Sequence, residues 1–169
     1  MNDVIEALTL ENEGKKAFDQ GEFERSVQSF TRALGIADGQ KTDENFDYPR
    51  FAAHCNAGLS GALGNLGRDK ECLSAAQAAL DFFDRCGAVL PGSFFYWVMA
   101  IMNKAVAQLN LGDAPQALEG FQRARSMMLE GGDSKTNQWI KIADQGISEA
   151  REKLQPHSST SKRWWEVWK

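Results

Sequence analysis

The chain has 169 residues, 43% of them hydrophobic and 25% charged, which is enough for one domain with its own core and ordinary for a globular protein. A net charge of −4 gives it no electrostatic footprint for nucleic acid. Residues Met1 to Glu6 carry acids and no basic region, so no secretory signal is read. The longest apolar run, Phe94 to Met102, falls short of the roughly 20 residues that span a bilayer. Cys55, Cys72 and Cys86 are odd in number and lack metal-type pair spacing, which suits a reducing, cytoplasmic compartment.

In chain order, a helical stretch including Gly14 to Phe18 ends at Gly21, and a second helix follows with Ser26, Phe30 and Ala33 on one face. Gly35 to Pro49, with Asp38, Gly39, Thr42, Asp43 and Asn45, reads as a polar connecting loop. Phe51 to Leu66 precedes Gly67, after which Cys72, Ala76 and Ala79 repeat the same spacings. Cys86 to Ser93, with Gly87, Pro91 and Gly92, reads as a second connection. Phe94 to Leu111 precedes Gly112, and Ala117, Phe121 and Ala124 repeat the pattern again. Pro115 stands near a helix start, where it is tolerated. After Gly131-Gly132, Asp133 or Ser134 is placed to cap a helix carrying Trp139, Ile142 or Ala143, Ile147 and Ala150 at helical spacing. Pro156 stops it, and His157 to Ser161 read as a linker.

The physical logic of each unit is a turn glycine able to take a left-handed conformation, then a helix whose small residues at the fifth and twelfth positions admit a close antiparallel partner. The residue at the ninth position fills the gap between helix pairs. These segments resemble the tetratricopeptide repeat (TPR) family over roughly residues 3 to 130, the first and third units more closely than the second. The glycines lie 46 and 45 residues apart, where the family's usual period is about 34. The surplus must lengthen helices or enlarge connections, and connections as long as these two are similar to those of immunophilin co-chaperone TPR domains.

The resemblance implies an all-α superhelix of three antiparallel helix pairs with a capping helix over 133–154. Residues 1–154 then form the domain, and 155–169 a linker and tail. It implies an adaptor or assembly factor whose first helices line a concave groove for a partner peptide or helix. On that register Glu11, Asn12, Lys15 and Phe18 of the first unit and Met99, Met102, Asn103, Val106 and Asn110 of the third face the groove. Some members grip acidic chaperone tails through a carboxylate clamp of Lys and Asn residues. The matching positions here are Glu11, Lys15, Gly58, Met99 and Asn103, which keep only the general polarity.

Gly58, Gly61, Gly64 and Gly67 recur every three residues. A phosphate loop would need Gly-Lys-Ser/Thr and a preceding strand, so the stripe reads as a close-packing surface or a groove floor that admits a bulky side chain. Each interior glycine costs about 1 kcal/mol against alanine, so this helix is expected to be soft. His54 and Cys55 are adjacent, hence about 100° apart on a helix and poorly placed for proton transfer. No catalytic, metal-binding or cofactor-binding residue is expected.

The tail reads Ser161-Lys-Arg-Trp164-Trp165-Glu-Val-Trp168-Lys169 and holds three of the five tryptophans. As a helix it would gather Trp164, Trp165 and Trp168 on one face, with Lys162, Glu166 and Lys169 on the other. Such a segment suits docking to a second protein, since tryptophan leads among hot-spot residues. The alternatives are a membrane interface, which would make the protein membrane-peripheral, the groove of its own or a neighbouring copy, and an extension unrelated to function.

Overall fold

A computed structural model describes residues 2–38, 40, 46–86, 92–131 and 137–155. Within them the chain forms seven helices: α1 Asn2–Asp19, α2 Phe23–Ala37, α3 Tyr48–Asn65, α4 Asp69–Cys86, α5 Phe94–Asn110, α6 Ala114–Gly131 and α7 Asn137–Leu154. Each helix packs mainly on its neighbours in sequence, and α3 also meets α5. The result is the expected all-α architecture of three helix pairs and a seventh helix on α6.

The three turns between paired helices are built alike. Gly21, Gly67 and Gly112 have φ of 75°, 69° and 89°, a region that alanine enters only at a cost. Just beyond each glycine an amide donates back across the turn: Glu22 to the Ala17 carbonyl, Arg68 to Leu63 and Asp113 to Gln108. These bonds satisfy carbonyls left open at a helix end.

All nine residues of the repeated spacing are buried: Ser26, Phe30 and Ala33, then Cys72, Ala76 and Ala79, then Ala117, Phe121 and Ala124. Ser26 lies between α1 and α2, where its hydroxyl donates to the Gly14 carbonyl at 2.9 Å. On α7, Ala143, Gly146, Ile147 and Ala150 are the buried face against α6.

The connections are shorter than the sequence suggested. Gly35 to Ala37 complete α2, and Cys86 belongs to α4. Tyr48 and Pro49 already lie in α3, because Asp47 caps that helix by accepting from the Arg50 amide at 3.0 Å and proline suits a first turn. The caps expected at Asp133 or Ser134 lie outside the described residues.

Two main hydrophobic clusters divide the array. One joins α1 and α2 to Tyr48, Phe51 and Cys55 of α3, and the other joins Ala53 and Ala57 of α3 to α4, α5, α6 and α7. On the outer surface Asp84 accepts hydrogen bonds from Trp97 and Arg123 and so ties α4 to α5 and α6. Burial alone would raise the Asp84 pKa, but the bonds from Arg123 and Trp97 outweigh it and hold the carboxyl below its ordinary value.

Candidate functional site

The first helix of every pair, and α7, turn one side towards a common groove of about 440 Å³. Lys15, Phe18 and Asp19 come from α1, Gly58, Gly61 and Asn65 from α3, Phe95, Tyr96, Met99 and Asn103 from α5, and Trp139 from α7, with the Phe30 ring of α2 beneath.

Neighbouring side chains press close on α3 because it carries glycines there. A Cβ on Gly58 would fall 2.5 Å from Cζ of Phe30, and one on Gly61 would fall 3.3 Å from Cε2 of Phe18 and 3.4 Å from Nδ2 of Asn103. The glycine stripe is therefore a close-packing surface and the groove floor at once. Asn103 is fixed on that floor, its Nδ2 donating to Ser60 Oγ at 2.9 Å.

One wall is aromatic. Phe95 stands edge-on to Trp139 at 5.8 Å and to Tyr96 at 5.9 Å, and it is 49% exposed. Tyr96 in turn stacks on His54 at 4.1 Å. His54 Nε2 and Ser93 Oγ share a hydrogen bond of 3.0 Å. Burial pushes the His54 pKa down to about 4, so the imidazole is neutral at pH 7.

Lys15 reaches that wall at Tyr96, and its charge is already engaged. Its Nζ is 2.6 Å from Glu11 Oε1 and 5.4 Å from the centre of the Tyr96 ring. Burial works to lower its pKa, and the hydrogen bonds to Glu11 and Tyr96 outweigh that and raise it. Lys15 is the lone cation of the described lining, so the groove presents apolar and aromatic surface with a neutralised ion pair and the exposed Asp19 carboxylate.

Of the residues expected here, Lys15, Phe18, Met99 and Asn103 line the groove. Met102 does not. It is 2% exposed and packed in the larger core cluster, because α5 is wedged between neighbours and only part of its circumference is open. Asn110 is not in the lining either. At the last turn of α5 its Nδ2 donates to Asp69 Oδ1 of α4 at 2.9 Å. Trp164, Trp165 and Trp168 lie outside the described residues. Sequence reasoning missed Phe95, Tyr96 and Trp139, although their apolar surplus at a helix start was visible. Cys55 is buried, and desolvation pushes its thiol pKa well above the ordinary value. Among the described residues no group of three His, Cys, Asp or Glu side chains is placed to hold a metal, and no helix is long and apolar enough to cross a membrane.

A family model described as Domain of Unknown Function (DUF3856) matches residues 1–138. The chain belongs to the DUF3856 family. This DUF3856 chain has the TPR fold, as its solved neighbours make plain. A TPR-like protein from Chlorobium tepidum TLS is 27% identical, with a TM-score of 0.79 over 88% of this chain and 96% of that one. The TPR2B domain of yeast Sti1, in complex with pHsp70, is 20% identical, with a TM-score of 0.65 over 88% and 98%. The first TPR of Spaghetti (RPAP3), bound to the HSP90 peptide SRMEEVD, is 15% identical, with a TM-score of 0.56 over 85% and 94%. Comparison with curated proteins returns no match.

Proposed function

We propose that this DUF3856 member is a protein-interaction scaffold whose groove takes an apolar or aromatic segment of a partner protein. The observation that carries the proposal is the state of Lys15. An acidic chaperone tail needs free cations to clamp its carboxylates, and the lone cation of the described lining is closed onto Glu11 and the Tyr96 ring. What the groove offers instead is the Gly58–Gly61 floor, the adaptable thioether of Met99 and the faces of Phe95, Tyr96 and Trp139. That is a surface for apolar anchors at helical or extended spacing.

In this proposal residues 1–154 are the scaffold, and Trp164, Trp165 and Trp168 of the 155–169 tail supply a contact with a second partner. The setting is the reducing cytoplasm, and the scaffold acts without cofactor or catalysis. An array of immobilised peptides, half aromatic-aliphatic and half acidic, probed with the full chain, tests the groove. Retention should follow apolar content and fall for the Met99→Glu variant. Retention of the acidic half alone, unaffected by that substitution, would overturn the reading.

A further inference from the structure

We infer that the groove's resident occupant is the chain's own C-terminal segment, residues 162–169, held there until a partner displaces it. This rests on the groove being a binding surface and adds what fills it. Three observations converge.

The first is chemical fit. The segment supplies Trp164, Trp165, Val167 and Trp168, and the groove supplies Phe18, Phe95, Tyr96, Met99 and Trp139 above a glycine floor. Three tryptophans left in water would be a large exposed apolar surface next to an apolar groove of the same chain.

The second is charge. Of the net −4, residues 156–169 contribute +2 through Lys162, Arg163 and Lys169 against Glu166, which leaves −6 on the remainder. The groove's own cation is neutralised by Glu11, and Asp19 stands exposed in the lining. A basic segment therefore meets no repulsion there, whereas an acidic one would.

The third is reach. Trp139 lines the groove near the start of α7, and Lys153 near its other end donates to the Leu109 carbonyl at 3.0 Å. Fifteen helical residues separate Trp139 from Leu154, about 22 Å at 1.5 Å each. The nine residue steps from Gln155 to Trp164 span up to roughly 30 Å when extended, enough to return to the groove. A tether this short gives an intramolecular segment an effective concentration on the order of millimolar, so even a modest contact stays occupied. Occupancy of the groove by a partner and by the tryptophans then exclude one another, which makes the tail available to a second partner only once a first has filled the groove.

The test uses the full chain labelled with ¹³C at methionine methyls, compared with the Trp164→Ala/Trp165→Ala/Trp168→Ala variant. Met99 reports the groove, and Met102 and Met128, both buried, report the integrity of the fold in the same spectrum. Loss of the indoles should move the Met99 methyl and leave the other two in place. A synthetic peptide of residues 158–169 should restore the shift in the variant and bind it at least fivefold more tightly than it binds the unaltered chain. An unmoved Met99, with the peptide nonetheless binding the groove, overturns the inference and leaves the groove reading intact. No peptide binding overturns it too, and the peptide array then judges the groove alone. A Met99 shift that fades on dilution assigns the occupant to a second copy and overturns an intrachain arrangement. Transfer of the tail to phosphatidylcholine–phosphatidylserine vesicles with Met99 unmoved overturns it in favour of a membrane.

Discussion

Phe30 and Gly58 meet across α2 and α3 with no room for a methyl group between them: a Cβ on Gly58 would stand 2.5 Å from the tip of a ring that is itself buried. Gly58→Ala should therefore lower stability despite alanine's better helix propensity. Overpacking costs about 1–3 kcal/mol, and the propensity gain returns about 1 kcal/mol. Combining it with Phe30→Leu should cost less than the sum of the two single changes, as a denaturant double-mutant cycle would read. A stabilised Gly58→Ala protein would contradict the contact.

The turn glycines make a separate claim. Gly112→Ala forces a side chain into φ near 89° and should cost about 1–2 kcal/mol, whereas Gly112→Asn should cost less because asparagine tolerates that region. Urea midpoints of the two variants order them directly.

His54 carries a pH signature. Burial holds its folded-state pKa at about 4, while the unfolded chain protonates near 6.5. Between those values the unfolded state binds more protons than the folded one, so stability is full above about pH 6.5 and declines as pH falls towards 4. In His54→Phe that part of the decline should vanish while the stack on Tyr96 persists. Parallel denaturation series at several pH values would show the stability difference shifting in favour of the variant as the pH falls below about 6.5.

The thiols should sort by burial. Cys55 and Cys72 are buried, and desolvation raises the Cys72 pKa to about 11, whereas Cys86 is exposed. A thiol-reactive dye at neutral pH should label Cys86 in the native protein and reach the other two only on unfolding, which peptide mapping would resolve. Rapid native labelling of Cys55 would mean that the α1–α3 cluster opens easily.

The acidic peptide SRMEEVD, held by RPAP3 in a neighbouring structure, should fail to saturate this groove at millimolar concentration. Freeing Lys15 with Glu11→Gln should strengthen the interaction, because the cation then has a carboxylate to gain. Calorimetric titration of both proteins checks the sign.

The fold was legible because its rule is local. A left-handed glycine and three buried positions at fixed distances recur in one chain, and Ser26, Cys72 and Ala117 reveal the close approach by being small. The groove was legible only in part. Lys15 and Phe18 follow from the register of α1 alone, and Met99 and Asn103 from that of α5 alone. Trp139 enters from α7, and that depends on how successive pairs rotate, which no short spacing encodes. Met102 and Met99 lie on the same side of α5, and only the neighbours of that helix decide which one is covered.

One consequence of the glycine-bearing helix concerns cooperativity. Arrays of repeats tend to fray unit by unit, since each leans only on its neighbours. Here Phe51 and Cys55 belong to one hydrophobic cluster and Ala53 and Ala57 to the other, so α3 is a party wall between two half-cores. With Gly58, Gly61 and Gly64 in its span, it has little intrinsic helicity to stand on when either half loosens. Melting of one half therefore removes the support of the other, and the array should unfold calorimetrically as a single unit rather than as a chain of independent pairs.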